Sequence, residues 1–138
     1  MTNIFVYGTL MFEDVWNRVV EGDYEKVDGT LHGYVRKAVK GEEYPAVIKG
    51  DPDSMVKGLI CLGVDDHDLK LLDHFEGDDY VRVCEEVETT GNGIIKAEVY
   101  VLKRGCENIL DDCDWDMESF ADSGIQRFIK GHDSFFSK

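Results

Sequence analysis

The chain has little proline, few basic residues, sparse cysteine and no long apolar run. Two prolines among 138 residues, with 43% hydrophobic content, exclude a disordered or fibrous chain and fit a globular one. Only 15 Lys and Arg stand against 29 Asp and Glu, a formal net charge of −14. A field of that sign repels phosphate backbones and anionic lipid heads, so neither nucleic acid nor a membrane surface is expected as a partner. Cys61, Cys84, Cys106 and Cys113 are scattered without a C-x-x-C pair. That spacing argues against a zinc knuckle or a disulfide framework, and for reduced thiols in a cytoplasmic protein. No stretch approaches the roughly 20 apolar residues that span a bilayer. The segment Met1 to Gly8 lacks the basic and long apolar regions of a signal peptide. The length and the absence of repeats or linker-like tracts predict one domain over residues 1–138.

Several familiar site signatures are also missing. The G-x-x-x-x-G-K-[ST] spacing of a phosphate loop is absent, and Gly91-Asn92-Gly93 lacks the third glycine and following helix of a dinucleotide fingerprint. Asp112, Asp114 and Asp116 begin like a calcium loop. Met117, however, stands where that loop needs glycine, and Ser123 where it needs a bidentate glutamate. His32, His67, His74 and His132 form no H-E-x-x-H pair. His132, Asp133 and Ser134 are neighbours whose side chains diverge, and G-x-S-x-G is missing. No metal and no cofactor are expected.

What is present reads as alternating strands and helices. Asn3 to Tyr7 is a short apolar run ending at Gly8, the pattern of a buried strand. Phe12, Val15, Trp16, Val19 and Val20 recur at helical spacing over residues 11–20, with Gly22 as a stop. Residues 25–39 are β-prone but broken at Gly29 and Gly33. The Pro45 region and the Asp51-Pro52-Asp53 turn lead to a strand over Val56 to Val64. Asp65-Asp66 can cap a helix over residues 66–76, closed by Gly77. Val81 to Val87 and Ile94 to Leu102 read as a hairpin, and Asp114 to Lys130 as a C-terminal helix. The order β-α-β-β-α-β-β-α predicts an α+β domain with a closed or strongly curved sheet.

Glu76 falls inside the apolar arc of its helix, seven residues after Leu69 and four after Leu72. A carboxylate there must find a partner or rise in pKa through desolvation, and either outcome suits a general base working near neutral pH. Two blander readings stand beside it: a fraying last turn that faces water, or an ion pair with Arg82. The Tyr7-Gly8-Thr9-Leu10 turn leads from a buried strand towards a helix, so its amides can receive a carboxylate or an oxyanion. Taken alone it could equally be an ordinary connection. Tyr80 and Arg82 share one face of the next strand, which could bring Tyr80 to a cavity and Arg82 to Glu76 or to acidic surface groups.

Two segments in order decide between these readings by resemblance. Asn3-Ile-Phe-Val-Tyr-Gly-Thr-Leu10 resembles the first-strand signature of the γ-glutamylcyclotransferase-like superfamily. Leu72-Asp-His-Phe-Glu-Gly-Asp-Asp-Tyr-Val-Arg82 resembles the L-D-x-F/I-E-G-x-x-Y-x-R segment that carries its catalytic glutamate. Leu31-His-Gly-Tyr34 and Pro45-Ala-Val47 fit the intervening pattern. Asp114 to Phe120 is similar to the avirulence-induced-gene-like (AIG2-like) branch, whose last helix opens on a W-D/E segment.

The resemblance implies a small, strongly curved mixed β-barrel flanked by helices. It implies that Glu76 is the acid/base, that Tyr7, Gly8, Thr9, Leu10, Met11 and Phe12 cradle a γ-glutamyl substrate, and that Tyr80 lines the cavity. The implied reaction releases 5-oxoproline and a free amine from a γ-glutamyl amine or peptide. Two other outcomes stay open: a non-catalytic ligand-binding module that keeps the cavity, and an acyltransferase passing the γ-glutamyl group to an external amine.

Overall fold

The computed structural model describes residues 1–91 and 93–131. The expected His132-Asp133-Ser134 reading and Asn92 of the hairpin turn lie outside the described residues. The chain runs β1 (Thr2–Val6), a 3-10 turn (Thr9–Met11), α1 (Glu13–Val19), β2 (Lys26–His32), β3 (Tyr34–Ala38), β4 (Pro45–Lys49) and β5 (Met55–Val64). It continues through α2 (Asp66–Glu76), β6 (Tyr80–Thr89), β7 (Gly93–Leu102) and a short 3-10 turn at Glu107–Ile109. The described chain ends with α3 (Met117–Ser119), a π-helical turn (Phe120–Gly124) and α4 (Ile125–Gly131).

Five strands close into a barrel in the order β1-β5-β2-β6-β7, sealed by parallel pairing of β1 with β7, and β3 pairs with β4 as a separate two-stranded sheet. The fold is therefore the α+β barrel with flanking helices that the sequence predicts. Two strands exceed the five of the predicted order: the β-prone stretch 25–39 divides at Gly33 into β2 and β3, and residues 45–49 form β4. The Pro45 region carries no predicted element; the proline occupies the first position of β4, where a missing N–H costs the ladder little. The C-terminal helix starts later than expected, at Met117, because Asp116 accepts the Ser119 amide as its N-cap. No helix among the described residues is long and apolar enough to cross a membrane.

The alternation of β1 divides the core. Phe5 joins Leu31, Ile60, Val87 and Val99, contributed by the other barrel strands, in one cluster. Ile4 and Val6 point the other way, into a second cluster with Trp16, Val19, Leu72, Phe120 and Phe128 from the helices. Because both faces of β1 are covered, its end is a fixed point from which the next loop departs. The start of α2 is fixed as well. Asp68, almost fully buried, accepts the Glu21 and Gly22 amides at 2.9 Å each and the Tyr24 hydroxyl at 2.6 Å.

Candidate active site

The site lies where β1, α2 and the C-terminal helix meet. A cavity of about 100 Å3 is lined by the loop Tyr7 to Leu10, by Glu76 and Phe75 at the end of α2, and by Tyr80 and Tyr100 of the β6–β7 hairpin. Tyr44, Pro45 and Phe128 complete the wall, with Phe5 and Val6 below. Two segments 66 residues apart in the sequence, Leu10 and Glu76, thus border the same space.

Glu76 is the last residue of α2. Asp65 starts the helix by accepting the Asp68 amide, and Gly77 ends it with its amide donated to Asp73 O at a φ of 84°, a conformation that glycine adopts without strain. The stop leaves Glu76 half-buried against the cavity. Among the described residues no donor or cation engages its carboxyl group. Burial pushes its pKa from 4.5 up to about 8, and the Asp73 charge one turn earlier adds to the rise. This carboxyl group therefore changes charge close to neutrality, as a proton-transfer group should.

Arg82 does not partner Glu76. Its Nε donates to Asp73 at 3.0 Å and its Nη1 to Glu98 at 2.7 Å, and Asp73 also accepts the Tyr100 hydroxyl at 2.7 Å. The ion pair with Arg82 that the sequence left open is thus made one turn earlier in α2. The arrangement clamps α2 to the barrel and keeps the guanidinium on Asp73 and Glu98.

The loop opposite is held from several sides. Met11 N donates to Gly8 O and Phe12 N to Thr9 O, so the amides of Thr9 and Leu10 come before the first bond of this short turn. A Cβ at Gly8 would lie 2.6 Å from Pro45 Cγ, so only glycine lets β4 pack against the loop. Arg36 of β3 donates from Nη1 to Tyr7 O at 2.9 Å and from Nε to Asp114 at 3.0 Å, with its guanidinium over the Trp115 ring. Tyr7 is buried with its hydroxyl donated to Tyr100 O at 2.6 Å, and burial raises its pKa well above the ordinary phenol value.

Of the residues expected in the cradle, Tyr7, Gly8, Thr9, Leu10, Tyr80 and Glu76 all line the cavity. Met11 and Phe12 are not among the lining residues. The 3-10 turn rotates them into the helical core, where Phe12 meets Phe120 at 5.1 Å and Trp115 at 6.5 Å. Tyr80 lines the wall with its ring, because its hydroxyl is donated to Pro45 O at 3.1 Å. Sequence reading missed Tyr44, Phe75, Tyr100, Phe128 and the brace Arg36. Phe75 had a signal, as the immediate neighbour of Glu76, while the others reach the site only through tertiary packing.

The sequence profile described as gamma-glutamyl cyclotransferase, AIG2-like, matches residues 4–117. The chain belongs to this family. Among its relatives, the Arabidopsis thaliana AIG2-like protein A is 37% identical over 131 residues, covering 93% of this chain and 77% of that protein. The Arabidopsis Protein AIG2 C is 32% identical over 129 residues, with the same coverage of each chain. An Arabidopsis protein solved in solution superposes with a TM-score of 0.71 at 30% identity, covering 97% of this chain and 81% of that one. A solved structure described as gamma-glutamyl cyclotransferase gives a TM-score of 0.64 at 16% identity, over 74% of this chain and 66% of that one, and supports the fold alone. Met117 closes the family match, so the π-helical turn and α4, with Phe128, lie beyond it.

Proposed function

We propose that this family member is a cyclotransferase acting on γ-glutamyl amides, with Glu76 as the proton-transfer group. The observation that carries this reading is a carboxyl group that no donor or cation among the described residues engages, raised to a pKa of about 8, in a cavity that Gly8, Thr9 and Leu10 also line. A γ-glutamyl compound offers an α-ammonium to such a carboxylate and an α-carboxylate to such amides.

In the proposed reaction the Glu76 carboxylate takes a proton from the α-ammonium. The freed amine nitrogen attacks the γ-carbonyl carbon of the same molecule, closing a five-membered ring and placing negative charge on the carbonyl oxygen. As this intermediate collapses the bond to the departing amine breaks, and the protonated Glu76 delivers its proton to that nitrogen. The ring nitrogen gives up its second proton, which the released amine takes up as an ammonium. The products are 5-oxoproline and a free amine, with no water or external acyl acceptor consumed. Nucleophile and electrophile are already tethered, so the protein needs to fold the substrate and move protons. A positioned base contributes about 10²- to 10⁴-fold, and each well-aimed oxyanion donor roughly 3–4 kcal/mol.

Product analysis tests the proposal. A γ-glutamyl amide incubated with the protein should give equal amounts of 5-oxoproline and free amine by mass spectrometry. Free glutamate would indicate hydrolysis, and a new amide would indicate transfer to an external amine. Either product in place of 5-oxoproline overturns the reading.

A further inference from the structure

The cavity wall is chemically divided. Polar capacity is concentrated in the Gly8 to Leu10 backbone and the Glu76 carboxyl group, while the remainder of the lining is largely aromatic. Phe128 of α4 is buried, 5.9 Å from the Phe75 ring and 6.4 Å from the Tyr44 ring, both edge-on. Tyr80 adds a ring whose hydroxyl is already committed to Pro45. No Lys, Arg or His side chain lines the cavity among the described residues.

This aromatic wall is held in place. Glu43, immediately before Tyr44, receives Arg127 Nε at 2.6 Å, and its carbonyl accepts Trp115 Nε1 at 2.7 Å. Phe128 is backed by Phe120 at 5.8 Å. The loop bearing Tyr44 and the helix bearing Phe128 are therefore tied together on both sides of the Tyr44–Phe128 contact.

If the substrate is a γ-glutamyl amide, as proposed above, its charged half is accounted for by Glu76 and the loop amides. The departing amine is left with the rings. A carboxylate on that amine would be desolvated against aromatic surface, with no cation among the described lining residues to meet it, inside a protein of net charge −14. An apolar group would instead bury ring against ring, at the centroid separations already present in the wall.

We propose that Tyr44, Phe75 and Phe128 form the subsite for the departing amine, and that this subsite selects an aromatic or branched apolar amine over an amino acid or peptide with a free carboxylate. Phe128 is then a specificity-determining residue supplied from outside the family match.

The test compares γ-glutamylbenzylamide with γ-glutamylglycine on the full chain, following 5-oxoproline. The wild type should favour the benzylamide in kcat/KM by about 100-fold or more. Phe128→Leu, which keeps an apolar group in the core, should narrow that preference several-fold by raising KM for the benzylamide. Tyr44→Arg, which places a cation in the wall, should shift preference towards γ-glutamylglycine. Equal kcat/KM for the two compounds in the wild type, or a preference that neither variant moves, overturns the subsite. Should neither compound release 5-oxoproline, the reaction reading falls and the subsite is judged by calorimetry alone. Tighter binding of the benzylamide then supports it, and equal affinity overturns it.

Discussion

Replacing Glu76 by glutamine should change the pH dependence of stability in a direction opposite to that of most buried carboxylates. Those are commonly ion-paired, with lowered pKa values, and lose their stabilisation in acid. Glu76 has a folded pKa raised from 4.5 to about 8 by burial and by Asp73. Its stabilising contribution is therefore complete below the unfolded value and is lost as pH rises through the folded value. The rise corresponds to about 5 kcal/mol when the carboxylate is forced to ionise in the cavity, at about 1.4 kcal/mol per pKa unit. Between about pH 5 and pH 9 the linkage relation leaves a change of about 4 kcal/mol. Glutamine has nearly the same shape and no titration, so Glu76→Gln should gain about that much stability relative to wild type across the same range. Urea unfolding of both proteins, read by tryptophan fluorescence and far-ultraviolet dichroism, measures the difference. A difference that stays flat with pH refutes the reasoning, because Glu76 would then titrate as it does in the unfolded chain.

Three further outcomes follow from the same geometry. In the empty site at pH 7 about nine-tenths of Glu76 is protonated, and an adjacent substrate ammonium favours its carboxylate. Binding a γ-glutamyl amide to wild type should thus release up to about 0.9 proton, measured by calorimetry in buffers of different ionisation enthalpy, and to Glu76→Gln about none. Gly8→Ala drives a Cβ to 2.6 Å from Pro45 Cγ. It should cost about 1–3 kcal/mol in denaturant unfolding and lower kcat/KM at least tenfold, as the loop amides shift away from the α-carboxylate they are proposed to hold. Asp68→Ala orphans two amides and the Tyr24 hydroxyl, far from the cavity. It should cost about 2–4 kcal/mol in the same unfolding assay while leaving the pH dependence assigned to Glu76 in place.

The parts of the fold written in local pattern were legible in the sequence. The helix Asp66–Glu76 carries its own start and stop signals in Asp65 and Gly77, and its observed bounds match the predicted ones. The β6–β7 hairpin is likewise set by alternation, although its strands extend one or two residues beyond the expected ends. Strand β4 was hidden because Pro45 is a turn signal by composition and a strand opener only in context. The two ends of the site, Glu76 and the Tyr7 to Leu10 loop, were tied together by family resemblance, since periodicity alone left Glu76 between solvent, Arg82 and catalysis. Arg82 could be assigned only once the structure placed Asp73 and Glu98 on either side of it. The aromatic wall was illegible for a related reason. Tyr44, Tyr100 and Phe128 come from a loop, a strand and a helix, and only the closure of the barrel and the docking of α4 bring their rings to one cavity.

Turnover by wild type and Glu76→Gln, followed as 5-oxoproline released from a γ-glutamyl amide, tests the central claim most directly. Wild type should release 5-oxoproline, and the variant should show a fall in kcat of about 10²- to 10⁴-fold with substrate still bound. Equal turnover by the two proteins, or no release by a folded wild type that binds the substrate, would contradict it.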